Sequence, residues 1–201
     1  DGWLQLNRYL LRKVDAVSNS MPFNMSANTI ENACRMMEDD FNQSSSPHSY
    51  SAAPSVQGIP MPRSIPYGFL YNHECDNIYF ENDFERLRDL NRGRAASFRN
   101  YGCSGPRVYV LVTSWAVDIP RLERALAAYM QDDQYRLLLI STQFDAPTDW
   151  VRGCPNTRIA HVPVPHEGYT WTSGQSTQAG YDFDFAVRTI VRKTMLEIAA
   201  A

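Results

Sequence analysis

Residues 107–201 carry the sharpest pattern of apolar and polar positions in the chain. A nearly continuous apolar run, Val108, Tyr109, Val110, Leu111 and Val112, closes on Thr113, Ser114 and Trp115. A second run over 135–142 holds Leu137, Leu138, Leu139 and Ile140 and closes on Ser141 and Thr142. Short apolar runs bounded by turn residues predict buried strands. Between them, Asp118 and Pro120 lead into an amphipathic stretch over 122–130, the signature of a helix start followed by a helix. Strand, helix and strand in that order predict a βαβ unit with parallel strands. A third strand is expected at 157–164, where Pro163 suits a strand end or an edge. A final helix over 182–199 would turn Phe185, Ile190, Met195 and Ile198 toward a core.

The first third of the chain reads differently. Leu4, Leu6, Leu10, Leu11 and Val14 fall at near-helical spacing and predict an amphipathic helix over 3–17. A second helix is expected over 26–37, capped by Ser26 or Asn28. Residues 42–66 contain Ser44, Ser45, Ser46, Pro47, Pro54, Gly58, Pro60, Pro62 and Pro66, which reads as an extended linker or wrapping arm. A short charged helix over 81–90 should stop before Gly93. The expected organisation is a helical and Pro/Ser-rich N-terminal arm over 1–66, then an α/β domain over 67–201. That domain would hold a short, mainly parallel sheet with flanking helices.

Composition narrows the partners. With 44% hydrophobic and 20% charged residues, 201 residues can bury one sizeable core with an irregular extension. Nineteen Lys and Arg against 22 Asp and Glu give a net charge of -3, and no basic cluster is dense enough to track a phosphate backbone, so nucleic acid is excluded as a partner. The apolar runs are strand-sized, short of the roughly 20 residues a bilayer span needs. Cys34, Cys75, Cys103 and Cys154 show no CxxC spacing and permit two disulfides in any of three connectivities. Asn24 and Asn42 each open a glycosylation sequon. These features point to the secretory-pathway lumen or an extracellular setting, with the cytoplasm still open.

Ligands of open α/β sheets bind beyond the carboxyl ends of the strands, which puts Thr113, Ser114, Trp115, Thr142, Gln143 and Asp145 where a ligand would sit. Thr113 and Ser114 can hydrogen-bond a base or ribose, and Asp145 can accept from either. Alternatively the hydroxyls cap the loop and Asp145 opens a turn. Residues 114–118 contain no glycine, which excludes a dinucleotide fingerprint and a P-loop. Asp182 and Asp184 can share a divalent cation if they converge, or can simply face the positive end of a helix dipole. His73, Glu74, Cys75 and Asp76 are dense in ligating atoms, as are His161, His166 and Glu167, but neither group has a metal-binding spacing. Ser173 and Ser176 lack a nucleophile elbow. The loop over 165–180, with Tyr169 and Trp171 in it and Tyr181 just after it, offers flat faces for a sugar ring or nucleobase, or a cover for the sheet.

The strand, helix and strand over 107–145, ending near Asp145, together with the stretch 180–186, resemble the N-terminal nucleotide-binding half of nucleotide-sugar glycosyltransferases with the A-type fold. The resemblance covers about residues 107–201. It implies a Rossmann-like sheet, nucleoside contacts from Thr113, Ser114 and Asp145, a nucleotide sugar as donor and a glycan or protein hydroxyl as acceptor. It also implies a divalent cation, manganese or magnesium. The chain departs from the family where an apolar strand ending in Asp-x-Asp should follow the last helix. Asp182 and Asp184 precede that place and do not substitute for it. The expectation is therefore an N-terminal portion of a longer enzyme. The alternative is a non-catalytic extracellular module that binds a glycan or a protein. A hydrolase would need a nucleophile and base that the sequence does not show.

Overall fold

The computed structural model describes residues 29–54, 58–71, 74–99, 107–131, 135–142, 149–169 and 177–199. The expected helix over 3–17 lies outside them. The described chain is mixed α/β, with helices and a four-stranded, mostly parallel sheet. It divides into two compact units, one of residues 29–99 with 124–131, the other of 107–123 with 135–199.

In the first unit, helix α1 (Ile30–Glu38) starts at Thr29, whose hydroxyl accepts from the Asn32 N–H at 3.2 Å. The cap is therefore Thr29, not Ser26 or Asn28. The helix buries Cys34, Met36 and Met37. The stretch expected as an extended linker instead carries two 3-10 turns and a hairpin, in which β1 (Tyr50–Ala53) pairs antiparallel with β2 (Met61–Ser64). On its other side β2 is bridged by Leu70, across from Arg63. Pro62 lacks an N–H but its carbonyl accepts from Tyr71 N–H at 2.9 Å. What orders this segment is aromatic burial, since Tyr50, Tyr67, Phe69 and Tyr71 are each at most 5% exposed. Patterning by Pro and Ser conceals that signal.

Helix α2 (Glu85–Arg99) runs through Gly93, past the expected stop. A glycine inside a helix costs about 1 kcal/mol against alanine. Burying Leu87, Ala95 and Phe98 outweighs it. The same face buries Asn91 and Arg94, and Arg94 Nη2 meets Glu74 Oε1 at 2.5 Å with both side chains under 7% exposed.

Burial raises the phenol pKa of Tyr50, Tyr67 and Tyr71, and lifts that of Tyr129 to about 12. A phenol whose folded pKa lies above its unfolded value keeps its proton longer in the fold. The associated stability is complete below about pH 10 and is lost as pH rises toward the folded values. The urea midpoint of the helical signal should accordingly fall between about pH 10 and pH 12, and Tyr129→Phe should reduce the steepness of that fall. An unchanged midpoint across the window would contradict the assignment.

In the second unit, β3 (Arg107–Thr113) leads through Asp118 to the start of helix α3 (Ile119–Met130), whose residues from Arg124 onward belong to the first unit. Asp118 Oδ1 accepts from Arg121 N–H at 3.0 Å and Pro120 sits in the first turn, as expected of a helix start. Strand β4 (Tyr135–Ser141) follows, then β5 (Trp150–Val151), β6 (Cys154–His161) and helix α4 (Gln178–Ala199). The sheet order is β3-β4-β6-β5, parallel except for β5 against β6. The third strand begins earlier than expected because Gly153, at φ 81, turns β5 tightly back into β6. Pro163 falls beyond its end, where no ladder bond is lost.

Rows of the sheet align Val112, Ile140 and Ala160, and these pack with Leu138 and Val162 against Phe183, Val187 and Val191 of α4. Of the residues expected to face the core, Ile190 and Met195 pack partly buried against this cluster, but the helix is rotated enough that Phe183 is buried in place of Phe185, which is 66% exposed. On the other face, Tyr135 donates its hydroxyl proton to the Glu123 carbonyl at 3.1 Å, and Glu123 Oε1 accepts from Asn156 N–H at 2.7 Å. Strand β4 is covered on both sides, which explains its unbroken apolar run.

Candidate functional site

Parallel strands and their crossover connections leave one edge of the second unit where three strands end together. Thr113, Ser141 and His161 are the last paired residues of β3, β4 and β6 and stand in one register row. The strand ends are tied to each other, because both the N–H and the hydroxyl of Thr142 donate to the Thr113 carbonyl, at 2.9 and 3.2 Å. Beyond β6, Val162 N–H donates to Ser141 O at 2.9 Å and Val164 N–H to Thr142 O at 3.0 Å, so the chain continues along this edge.

The side chains predicted for the site behave differently from one another. The Thr113 hydroxyl, 7% exposed, accepts from Trp115 N–H at 3.1 Å and so shapes the turn out of β3. Ser114 is half-buried and Trp115 is 66% exposed. Asp145, Gln143 and Trp171 lie outside the described residues, as does Asn24. Asn42 is exposed in the first 3-10 turn, whereas Ser44 of its sequon is buried.

Tyr169 and Asp184, named for separate reasons in the sequence, come together here. Tyr169 is 5% exposed and packs against Phe183 and His166, each at 5.5 Å between ring centroids. Its phenol pKa is pushed up by burial first and by the Asp184 charge second. Asp184, 8% exposed, pairs through Oδ2 with Arg188 Nη2 at 3.0 Å. Among the described residues, neither the Tyr169 hydroxyl nor Asp184 Oδ1 has a hydrogen-bond partner, although both atoms are buried. A buried polar atom left without a partner costs about 1–3 kcal/mol. Two such atoms lie in the unit whose sheet carries this carboxyl edge.

Helix α4 begins one turn before its expected start, because the Thr177 hydroxyl accepts from Gly180 N–H at 3.1 Å and caps it. Asp182 and Asp184 therefore sit in the second turn and do not cap the helix. Asp182 is exposed and accepts from Gln178 Nε2 at 2.8 Å, while Asp184 is buried against Arg188. These two carboxylates do not fit a shared cation site. Among the described residues, no three His, Cys, Asp or Glu side chains gather as metal ligands. Glu74 is committed to Arg94, and Cys75 beside it has its thiol pKa raised by burial and then by the Glu74 and Asp76 charges. Tyr181 is 56% exposed on α4.

Sequence reasoning missed Ser141 and His161 as members of the strand-end row. Their signal was their place at the ends of runs, but the row exists only once the register is known. No helix among the described residues is long and apolar enough to cross a membrane. No family model matches this chain, and neither the curated proteins nor the solved structures hold a match to it.

Proposed function

We propose that the carboxyl edge of the second unit binds a nucleotide sugar, as in a glycosyltransferase that passes the sugar to an acceptor hydroxyl. The observation that carries this reading is the pair of buried oxygens on Tyr169 and Asp184, unpartnered among the described residues, in the unit that carries these strand ends. Chain order supports it too: β3, β4 and β6 lie side by side in sequence order, as in one mononucleotide-binding half of a Rossmann-like sheet. In this reading Asp184 accepts a ribose or sugar hydroxyl, and the Tyr169 hydroxyl donates to a ligand oxygen. In the same reading Thr113 and Ser114 line the nucleoside end, to which the sequence also assigns Asp145, outside the described residues. In the reaction, the acceptor oxygen forms a bond to the anomeric carbon and loses its proton as the bond to the nucleoside diphosphate breaks. A cation would assist that departure in the family this chain resembles, but no cation ligands are assigned to the described residues.

A thermal-shift titration with UDP, GDP, CMP and ADP, with and without manganese, tests the reading. A ligand that binds only the native state raises stability by about 2.7 kcal/mol at a hundred times its Kd. The expected result is a base-selective rise that disappears in Asp145→Ala. A flat response to every nucleotide contradicts the proposal.

A second reading, a non-catalytic module for glycan or protein, rests on Trp115, Tyr181 and Phe185, each more than half exposed. Exposed rings of this kind suit the apolar face of a sugar. Binding of a glycan without any nucleotide response would favour it.

A further inference from the structure

Helix α2 sets Arg88, Arg92 and Arg99 within one broad face, at i, i+4 and i+11. Ala95 and Ala96 on the same helix leave space against the turn that follows α1, and a half-open pocket of ≈230 Å³ occupies it. At the ~30 Å³ that one water fills in the liquid, this is room for about eight waters.

Its walls are polar and largely fixed. Arg99 is held by Asp40 and by the Tyr129 carbonyl, at 3.1 Å, and its guanidinium lies 4.2 Å from the centre of the Tyr129 ring. Arg92 is 62% exposed and, among the described residues, pairs with the similarly exposed Asp89, a surface contact that is readily exchanged. Arg88, one turn before Arg92 and outside the lining, reaches the Ser45 carbonyl at 3.5 Å, while its Nε is buried with no partner among the described residues.

Two further side chains of the lining are nearly inaccessible. Asn91 is 1% exposed and Ser44 2%. The Tyr50 hydroxyl spends its proton on the Ser44 carbonyl at 2.9 Å, so its oxygen can only accept from Asn91. Asn91 Nδ2 accordingly donates to Tyr50 and Tyr71 hydroxyls, both at 3.0 Å. Among the described residues, this orientation leaves Asn91 Oδ1 without a partner, and Ser44 Oγ has none either. The pocket thus combines two buried polar atoms that lack partners among the described residues with two guanidinium groups, Arg92 and Arg99, and one carboxylate, Asp40.

We infer that this pocket is a second binding site, for a small oxyanion that also carries hydroxyl groups. The oxyanion exchanges with Asp89 on Arg92, and ligand hydroxyls satisfy Asn91 Oδ1 and Ser44 Oγ. A phosphorylated sugar and a sugar acid share this chemistry.

Calorimetric titration of the full chain with ribose 5-phosphate, gluconate and ribose tests it. One of the two anions should bind with a Kd of about 1 mM or tighter, and ribose at least about tenfold more weakly. Tighter binding of ribose 5-phosphate assigns the phosphate, and tighter binding of gluconate the carboxylate. Arg92→Ala removes an exposed side chain, so the fold persists, and the affinity should fall about tenfold. Ser44→Ala should weaken the anion without changing the selectivity over ribose. Failure of both anions to bind, or equal binding to wild type and Arg92→Ala, overturns the inference.

Discussion

Glu74→Leu is expected to destabilise the first unit by about 3–5 kcal/mol, because it leaves the Arg94 guanidinium buried without its counter-charge. The two side chains are 4% and 6% exposed, and their contact at 2.5 Å is short and charge-assisted. A surface pair such as Arg92 with Asp89 offers the contrast, since its loss should cost no more than about 1 kcal/mol. The effect comes from desolvation more than from lost attraction. The double variant Glu74→Leu with Arg94→Met should therefore recover most of the loss, since a buried ion pair replaced by apolar groups of similar size is often neutral or better. Urea denaturation followed by far-UV circular dichroism measures both variants. A double variant no more stable than Glu74→Leu alone would contradict this account of the pair.

Leu138→Ala should cost about 2–5 kcal/mol in the second unit. Leu138 is wholly buried in the central strand β4 and belongs to the cluster closed by Val187 and Val191 of α4. Truncation removes its transfer energy and leaves a cavity that a sheet packed on both faces cannot collapse to fill. Leu196→Ala, at a position 71% exposed on the same helix that covers Leu138, should stay within about 0.5 kcal/mol. Equal effects of the two substitutions, read from near-UV circular dichroism in urea, would mean that α4 does not cover the sheet as described.

How far the sequence revealed this architecture depended on the kind of signal involved. Strand β4 was legible to within a residue or two because a parallel strand buried on both faces must be apolar throughout, and β3, an edge strand only half-buried over most of its length, because its apolar run is bounded by turn residues. Helix α3 was legible because Asp118 and Pro120 announce its start. Strand β5 was not, since two residues give no period and only the turn at Gly153 betrays it. The hairpin over 50–64 was hidden by proline and serine, whose effect on propensity is local, whereas the burial of Tyr50 against Tyr71 is tertiary. Helix α2 outran Gly93 for the same reason, its apolar and polar partners lying elsewhere in the chain. The rotation of α4 that exposes Phe185 and buries Phe183 turns on which of two phenylalanines meets Tyr169, and the periodicity of the helix alone admits both.

The candidate site was legible only in outline. A carboxyl edge with hydroxyl side chains follows from strand order alone, and Thr113 and Thr142 lie at it. That those hydroxyls bond to backbone at the edge, and that Tyr169 and Asp184 hold the atoms without partners, depends on contacts between residues distant in sequence.

The most direct test of the central claim is to compare Tyr169→Phe with wild type in both stability and nucleotide affinity, using whichever nucleoside diphosphate gives the thermal shift. The substitution removes only a buried hydroxyl that has no partner among the described residues, so the ligand-free protein should be as stable as wild type or slightly more so. If that hydroxyl bonds the ligand, affinity should fall about tenfold. Lower stability with unchanged affinity would contradict the account, because it would make the hydroxyl part of the fold and not part of a site.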